Sequence, residues 1–155
     1  MSESAKLTIN PVSNYIPITT NQVIEIFKLA RGKIYRKKNW IQQVHARNAG
    51  GYRLTLPEMT AYYRGLNPNF KPTCFCALGA LYAATWEYSK KHPELSITNV
   101  YYDVRRIFHT STYKIRKGED IAIINDSTNH KTIIKIYNTA IKALTETLTE
   151  SQTNA

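Results

Sequence analysis

The run Cys76-Ala77-Leu78-Gly79-Ala80-Leu81-Tyr82-Ala83-Ala84 decides the fold. Ala77, Leu78, Ala80, Leu81, Ala83 and Ala84 are apolar almost all the way round a helical projection, which marks a helix buried on more than one side. Pro93 bounds it, so the pattern predicts a helix from Cys76 to about Lys91. Gly79 within that helix costs about 1 kcal/mol relative to alanine. The expected compensation is close approach of another helix or a loop to the missing side chain; the alternative is a ligand lying against the backbone.

Working outward, Thr19-Thr20-Asn21 offers an N-cap, and Val23, Ile26, Phe27, Ala30 and Ile34 recur at helical spacing. Helix one is placed at about 20–37. Trp40–Ala46 is consistent with a short helix, Asn48-Ala49-Gly50-Gly51 with a turn, and Pro57-Glu58 opens a short helix through Tyr63. Past Pro93, Ser96 or Thr98 caps a helix striped by Val100, Val104, Ile107 and Phe108. Residues 110–120 read as a polar loop, and Ile121–Ile124 as a short strand or a buried extended run. Asn125–Asn129 reads as a capping turn before a last helix from about Lys131 to Thr145. The fold class is mainly α: a compact single domain of about five helices with at most a short strand. Residues 1–18 form an irregular N-terminal arm, 19–146 the helical domain and 147–155 a frayed polar tail.

The 155 residues are enough for one domain with a core of its own, and 43% hydrophobic with 21% charged is ordinary for a soluble protein. No apolar run approaches the ~18–20 residues that span a bilayer, and Met1–Lys6 has no apolar leader. Two cysteines, Cys74 and Cys76, sit one residue apart, a poor spacing for a mutual disulfide. A reducing, cytoplasmic setting is expected. The net charge of +10 is lopsided: residues 1–75 hold eleven lysines and arginines against three acids, residues 76–155 ten against eight. Between Glu25 and Glu58 there is no acid, while Lys28, Arg31, Lys33, Arg36, Lys37, Lys38, Arg47 and Arg53 fall there. A one-signed field of this kind attracts polyanions.

Trp40-Ile41-Gln42 with Ala46-Arg47, then Cys76-Ala77-Leu78-Gly79-Ala80, then Ile124-Asn125-Asp126 occur in that order. In that combination the chain resembles a family of small bacterial and phage proteins of unknown function, over about residues 22–145. That family shows Trp before Asn-Asp where this chain has Ile124. The resemblance implies a shared fold, brings no activity, and points to a phage or mobile-element origin.

Cys76 at the start of a helix is a candidate nucleophile, because the helix dipole favours thiolate there. It needs a base, for which His45, His109 and His130 are available, and Asn125 or Asp126 to orient it. Cys76 with His130 and Asp126 is the set carried as the alternative, a small hydrolase or transferase. Core packing is the leading reading, since free cysteine usually behaves as a small buried hydrophobe. A lone C-x-C pair and scattered histidines predict no metal site, and no glycine-rich phosphate loop predicts a cofactor.

Aromatic rings interleave with cations in Tyr35-Arg36-Lys37-Lys38-Asn39-Trp40, Tyr62-Tyr63-Arg64 and Tyr101-Tyr102 with Arg105-Arg106. Rings can stack on bases while Lys and Arg meet phosphates. Tyr101, Tyr102 and Tyr137, on apolar-striped helices, are expected in core or boundary positions. The expected function is a non-enzymatic binding module for nucleic acid, a nucleotide or an acidic protein surface. Its binding residues are Arg36, Lys37, Lys38, Trp40, Arg47, Asn125 and Asp126. With the resemblance, a phage-type accessory or anti-defence protein is implied.

Overall fold

A computed structural model describes residues 16–117 and 119–154, so most of the predicted N-terminal arm lies outside the described residues. The fold is mainly α. In chain order come α1 (Thr20–Ile34), β1 (Ala46–Arg47), β2 (Arg53–Leu54), α2 (Leu56–Tyr63), β3 (Cys74–Phe75), α3 (Ala77–Lys91), α4 (Ile97–Ile115), α5 (Ile121–Ser127) and α6 (His130–Asn154). Short 3-10 turns occupy Lys37–Asn39 and Pro68–Phe70.

Local chemistry starts the helices. Thr19 and Gln22 exchange hydrogen bonds in a capping box (Gln22 N to Thr19 Oγ1 3.2 Å, Thr19 N to Gln22 Oε1 2.9 Å), and Thr55 with Glu58 does the same before α2. Asp120 accepts from Ala122 N at 2.8 Å to open α5. Packing then places them. Helix α3 is the central element, with eleven of its fifteen residues buried and with α1, α2, α4 and α5 packed around it. Phe27 of α1, Phe108 of α4 and Tyr137 of α6 meet ring to ring, with centroids 4.5–6.3 Å apart, and tie those three helices together.

The small antiparallel sheet has the order β2-β1-β3, with Arg47 opposite both Arg53 and Cys74. A five-residue loop, residues 48–52, closes the β1–β2 hairpin. Gly51 there adopts φ +83°, and its N–H donates to Asn48 O at 2.9 Å.

Several sequence expectations give way. Trp40–Ala46 is not a helix: Ile41 N donates to Phe75 O at 3.0 Å, and the chain then bends through residues 42–45 into β1. The polar stretch from 110 is helical to Ile115: Ser111 and Thr112 are buried, and the hydroxyls of Thr110, Ser111 and Thr112 are absorbed by donating back to the carbonyls of Arg106, Ile107 and Phe108. Ile121–Ile124 is helix rather than strand, with Ile121 and Ile124 buried and Ile123 exposed, a period that four residues cannot declare. The last helix runs to Asn154 instead of Thr145. Neither Pro nor Gly interrupts it, and Leu144 and Leu148 still pack on the core. Tyr137 is fully buried and Tyr101 half-buried, but Tyr102 is 70% exposed. Among the described residues no helix is long and apolar enough to cross a membrane.

Gly79 has the compensation its position demands. A Cβ built there would lie 1.8 Å from the His45 carbonyl oxygen and 2.7 Å from its carbon, both backbone atoms. Replacing Gly79 by Ala should therefore cost more than about 3 kcal/mol, beyond ordinary overpacking, because a pinned backbone cannot step aside. Urea unfolding of Gly79→Ala checks this; a loss under about 1 kcal/mol would show that the segment yields.

Candidate functional site

Asn125, in the last turn of α5 and 1% exposed, is where the motif residues meet. Its Oδ1 accepts from the Trp40 indole Nε1 (2.7 Å) and from Ala77 N (3.0 Å). Its Nδ2 donates to Ile41 O (3.0 Å) and to Asp126 Oδ1 (3.2 Å). An amide has two lone pairs and two N–H donors, so this one is fully used. Around it, Gln42 Nε2 donates to the carbonyls of Asn125 (2.9 Å) and Thr128 (3.0 Å), closing the end of α5. Asp126 Oδ1 accepts from Gln43 N at 2.7 Å, and Gln43 is held at φ +70°, a left-handed conformation uncommon for a residue with a side chain.

The same knot serves the buried start of α3, whose first amides have no intrahelical acceptor. Cys76 N donates to His45 O (3.0 Å), Ala77 N to Asn125, and Gly79 N to Cys76 Sγ (3.3 Å); Tyr137 Oη donates to Ala77 O (2.7 Å). Cys76 is thus the N-cap of α3. Asn125 and Asp126 do not cap the last helix; Asn129 does, accepting from Thr132 N at 2.9 Å.

A cavity of about 110 Å³ lies against this knot, lined among others by His45, Cys76, Leu78, Ala122 and Asp126. His45 takes the place proposed for His130. The His130 ring sits 5.9 Å from the Trp40 ring, its Nε2 donates to the Ile34 carbonyl at 2.6 Å, and it does not line the cavity. Burial pushes the Cys76 thiol up, against the help of the Gly79 amide, and burial with Arg105 nearby pushes the His45 imidazole down. Both groups are therefore favoured in their neutral forms, and no hydrogen bond joins them among the described residues. Nor does any group of three His, Cys, Asp or Glu side chains among the described residues have the placement to hold a metal ion.

The predicted cationic residues form a separate surface. Arg36, Lys37 and Lys38 are exposed on the 3-10 turn, against the outer edge of β3, where Cys74 Sγ lies 3.7 Å from the Lys38 carbonyl. Cys74 pairs with Arg47 and Arg47 with Arg53, so the turn, Arg47 and Arg53 follow one another across the sheet, with strands about 4.8 Å apart. Residues directly opposite share a face, and like charges there destabilise the pair. Among the described residues none of Arg36, Lys37, Lys38, Arg47 and Arg53 forms an ion pair, and Arg47 Nε is buried without a hydrogen-bond partner. Trp40 and Asn125 stand apart from this row, their polar groups taken up by each other. Arg53 was visible only as one charge among many, since two-residue strands leave no periodic signal.

Structure and site together define a small mainly-α domain organised by one buried asparagine. Residues 18–143 match the model of a family of unknown function, DUF6197, and the chain belongs to that family. No curated protein and no solved structure matches it.

Removing the amide from Asn125 strands Trp40 Nε1, Ala77 N and Ile41 O, each at about 1–3 kcal/mol if left unpaired. Asn125→Ala should lose roughly 3–5 kcal/mol in urea unfolding, whereas Asp126→Asn, at an exposed carboxylate, should lose no more than about 1. Equal losses would mean that the knot is not centred on Asn125.

Proposed function

We propose that this protein is a non-enzymatic binding module whose basic row, Arg36–Lys38 with Arg47 and Arg53, takes a phosphate-bearing polyanion, nucleic acid before an acidic protein surface. The observation that supports this most directly is the Arg47–Arg53 cross-strand pair. Two arginines stand directly opposite in the strand register, neither forms an ion pair among the described residues, one Nε is buried and unpaired, and three more cations follow on the adjacent turn. Such a pair costs stability in the free protein and is relieved by an anion. A phosphate chain supplies anions at a repeat that a row of cations can follow, and counterion release then dominates affinity. In a cytoplasmic phage-type accessory or anti-defence protein, such a surface would sequester a host nucleic acid or its complex.

The two halves of this reading separate in one variant. Arg53→Thr should raise stability by about 0.2–1 kcal/mol while lowering the salt slope of nucleic-acid binding by about 1. The combined Arg36→Ala, Lys37→Ala and Lys38→Ala protein should lose about 2 from that slope, measured by fluorescence anisotropy over a salt series. An unchanged slope in both proteins removes the row as the binding surface.

A second reading, cysteine chemistry, has one observation in its favour: Cys76, His45 and Asp126 line a single cavity. The thiol raised by burial weighs against it. In a Cys74→Ser background, where Cys76 is the remaining thiol, alkylation of the folded protein should be slow at neutral pH and titrate above ~8.5, the ordinary thiol value. Rapid labelling near pH 6 would put cysteine catalysis first.

A further inference from the structure

A separate opening among the described residues involves neither the knot nor the basic row. It is a cleft of about 730 Å³ between α1 and the C-terminal half of α3, within the range of about 300–1,000 Å³ that small-molecule sites occupy. Glu25, Lys28 and Leu29 line one wall; Glu87, Tyr88, Lys90, Lys91 and His92 line the other. Leu29 is 42% exposed there, and Tyr88 and His92 stack with ring centroids 4.1 Å apart and planes 19° from parallel. Tyr88 is itself buried, so the floor is the exposed Leu29 side chain and the half-buried His92 ring that Tyr88 backs.

The charges around it are not balanced. Glu87 is already neutralised by Lys33 at 2.6 Å. Glu25 remains, and against it stand Lys28, Lys90 and Lys91, none of which forms an ion pair among the described residues. Lys90 turns its ammonium to the Tyr63 ring, which is outside the cleft lining, 5.6 Å from the centroid, and this leaves Lys28 and Lys91 to face Glu25. His92 also faces Glu94, at 3.6 Å. A surplus of flexible ammonium groups over a ring-lined floor suits a flat ring that carries more than one negative charge.

We propose that the α1–α3 cleft binds a nucleotide unit, its base over Leu29 and the Tyr88–His92 pair and its phosphate on Lys28 and Lys91. The unit comes either from a free nucleotide or from an unpaired base in a nucleic-acid strand. Two lysines, Lys28 and Lys91, favour phosphate over a single carboxylate, and the His92 ring offers a surface that any base can extend. This site is independent of the basic row, which lies across the sheet.

Binding is measured by calorimetry with adenosine diphosphate, a short single-stranded oligonucleotide, inorganic pyrophosphate and decanoate, on the wild-type chain and on four variants checked for folding by circular dichroism. Lys28→Ala with Lys91→Ala should weaken nucleotide binding about tenfold, the loss of one charge-assisted contact or more. His92→Ala should weaken it about fivefold or more, as expected when a stacking surface goes. Leu29→Asp, at an exposed position that the fold tolerates, should abolish it. The Arg36, Lys37 and Lys38 triple variant should bind adenosine diphosphate as the wild type does, which keeps this result separate from the polyanion reading. If the oligonucleotide alone responds to the cleft variants, the strand is the source; if the diphosphate alone does, the free nucleotide is. Pyrophosphate binding as tightly as the nucleotide, decanoate binding more tightly, or indifference of both nucleotide probes to the cleft variants overturns the proposal.

Discussion

A helix buried on nearly all sides must bring acceptors to its own first turn, because water cannot reach those amides. In α3 that requirement is met from three directions at once: the His45 backbone, the Asn125 side chain and the Cys76 sulfur. Each acceptor fixes something else. His45 can approach so closely only because residue 79 has no side chain. Asn125 can point its oxygen at Ala77 only because Trp40 and Ile41 hold the rest of its amide. Removing any one of these contacts leaves a buried polar group in a medium of low dielectric, where it is most costly.

This explains why the most conspicuous residues of the chain are poor candidates for chemistry. Trp40, Gln42, Cys76, Gly79 and Asn125 are tied to one another over long sequence separations, and their hydrogen-bonding capacity is consumed in doing so. A thiol that caps a helix under burial is kept protonated, and the imidazole nearest to it is kept neutral. The knot is rigid scaffolding, and it fixes the turn at Lys37–Asn39 and the edge of the sheet on which the cations are displayed.

The cations themselves bear the opposite relation to stability. Arg47 and Arg53 face each other across two strands of two residues each, too short to contribute much cohesion of their own. Such an arrangement opposes folding slightly and is sustained by the helices behind it, through Ala46, Leu54 and Phe75 in the core. Strain held at the surface by a well-packed interior is the usual relation between a binding site and its scaffold. Family membership covers most of the chain and leaves the ligand open, so the weight of the functional reading rests on this electrostatic imbalance.

Much of the helical framework was legible in the residues alone, because it rests on local rules. Thr19-Thr20-Asn21 announces α1, Pro57-Glu58 announces α2, and the unbroken apolar surface of 77–84 announces a central helix that something must cover. The glycine at 79 declared a close neighbour without naming it. What local rules could not supply were the partners: that His45 rather than His130 stands beside Cys76, that Asn125 binds Trp40 instead of capping α6, and that Arg53 faces Arg47. Those pairings join residues up to 85 positions apart, or strands too short for any periodicity. Composition and spacing determine which segments coil and which faces are buried; only the closed chain, with every buried amide matched to an acceptor, decides which side chains meet.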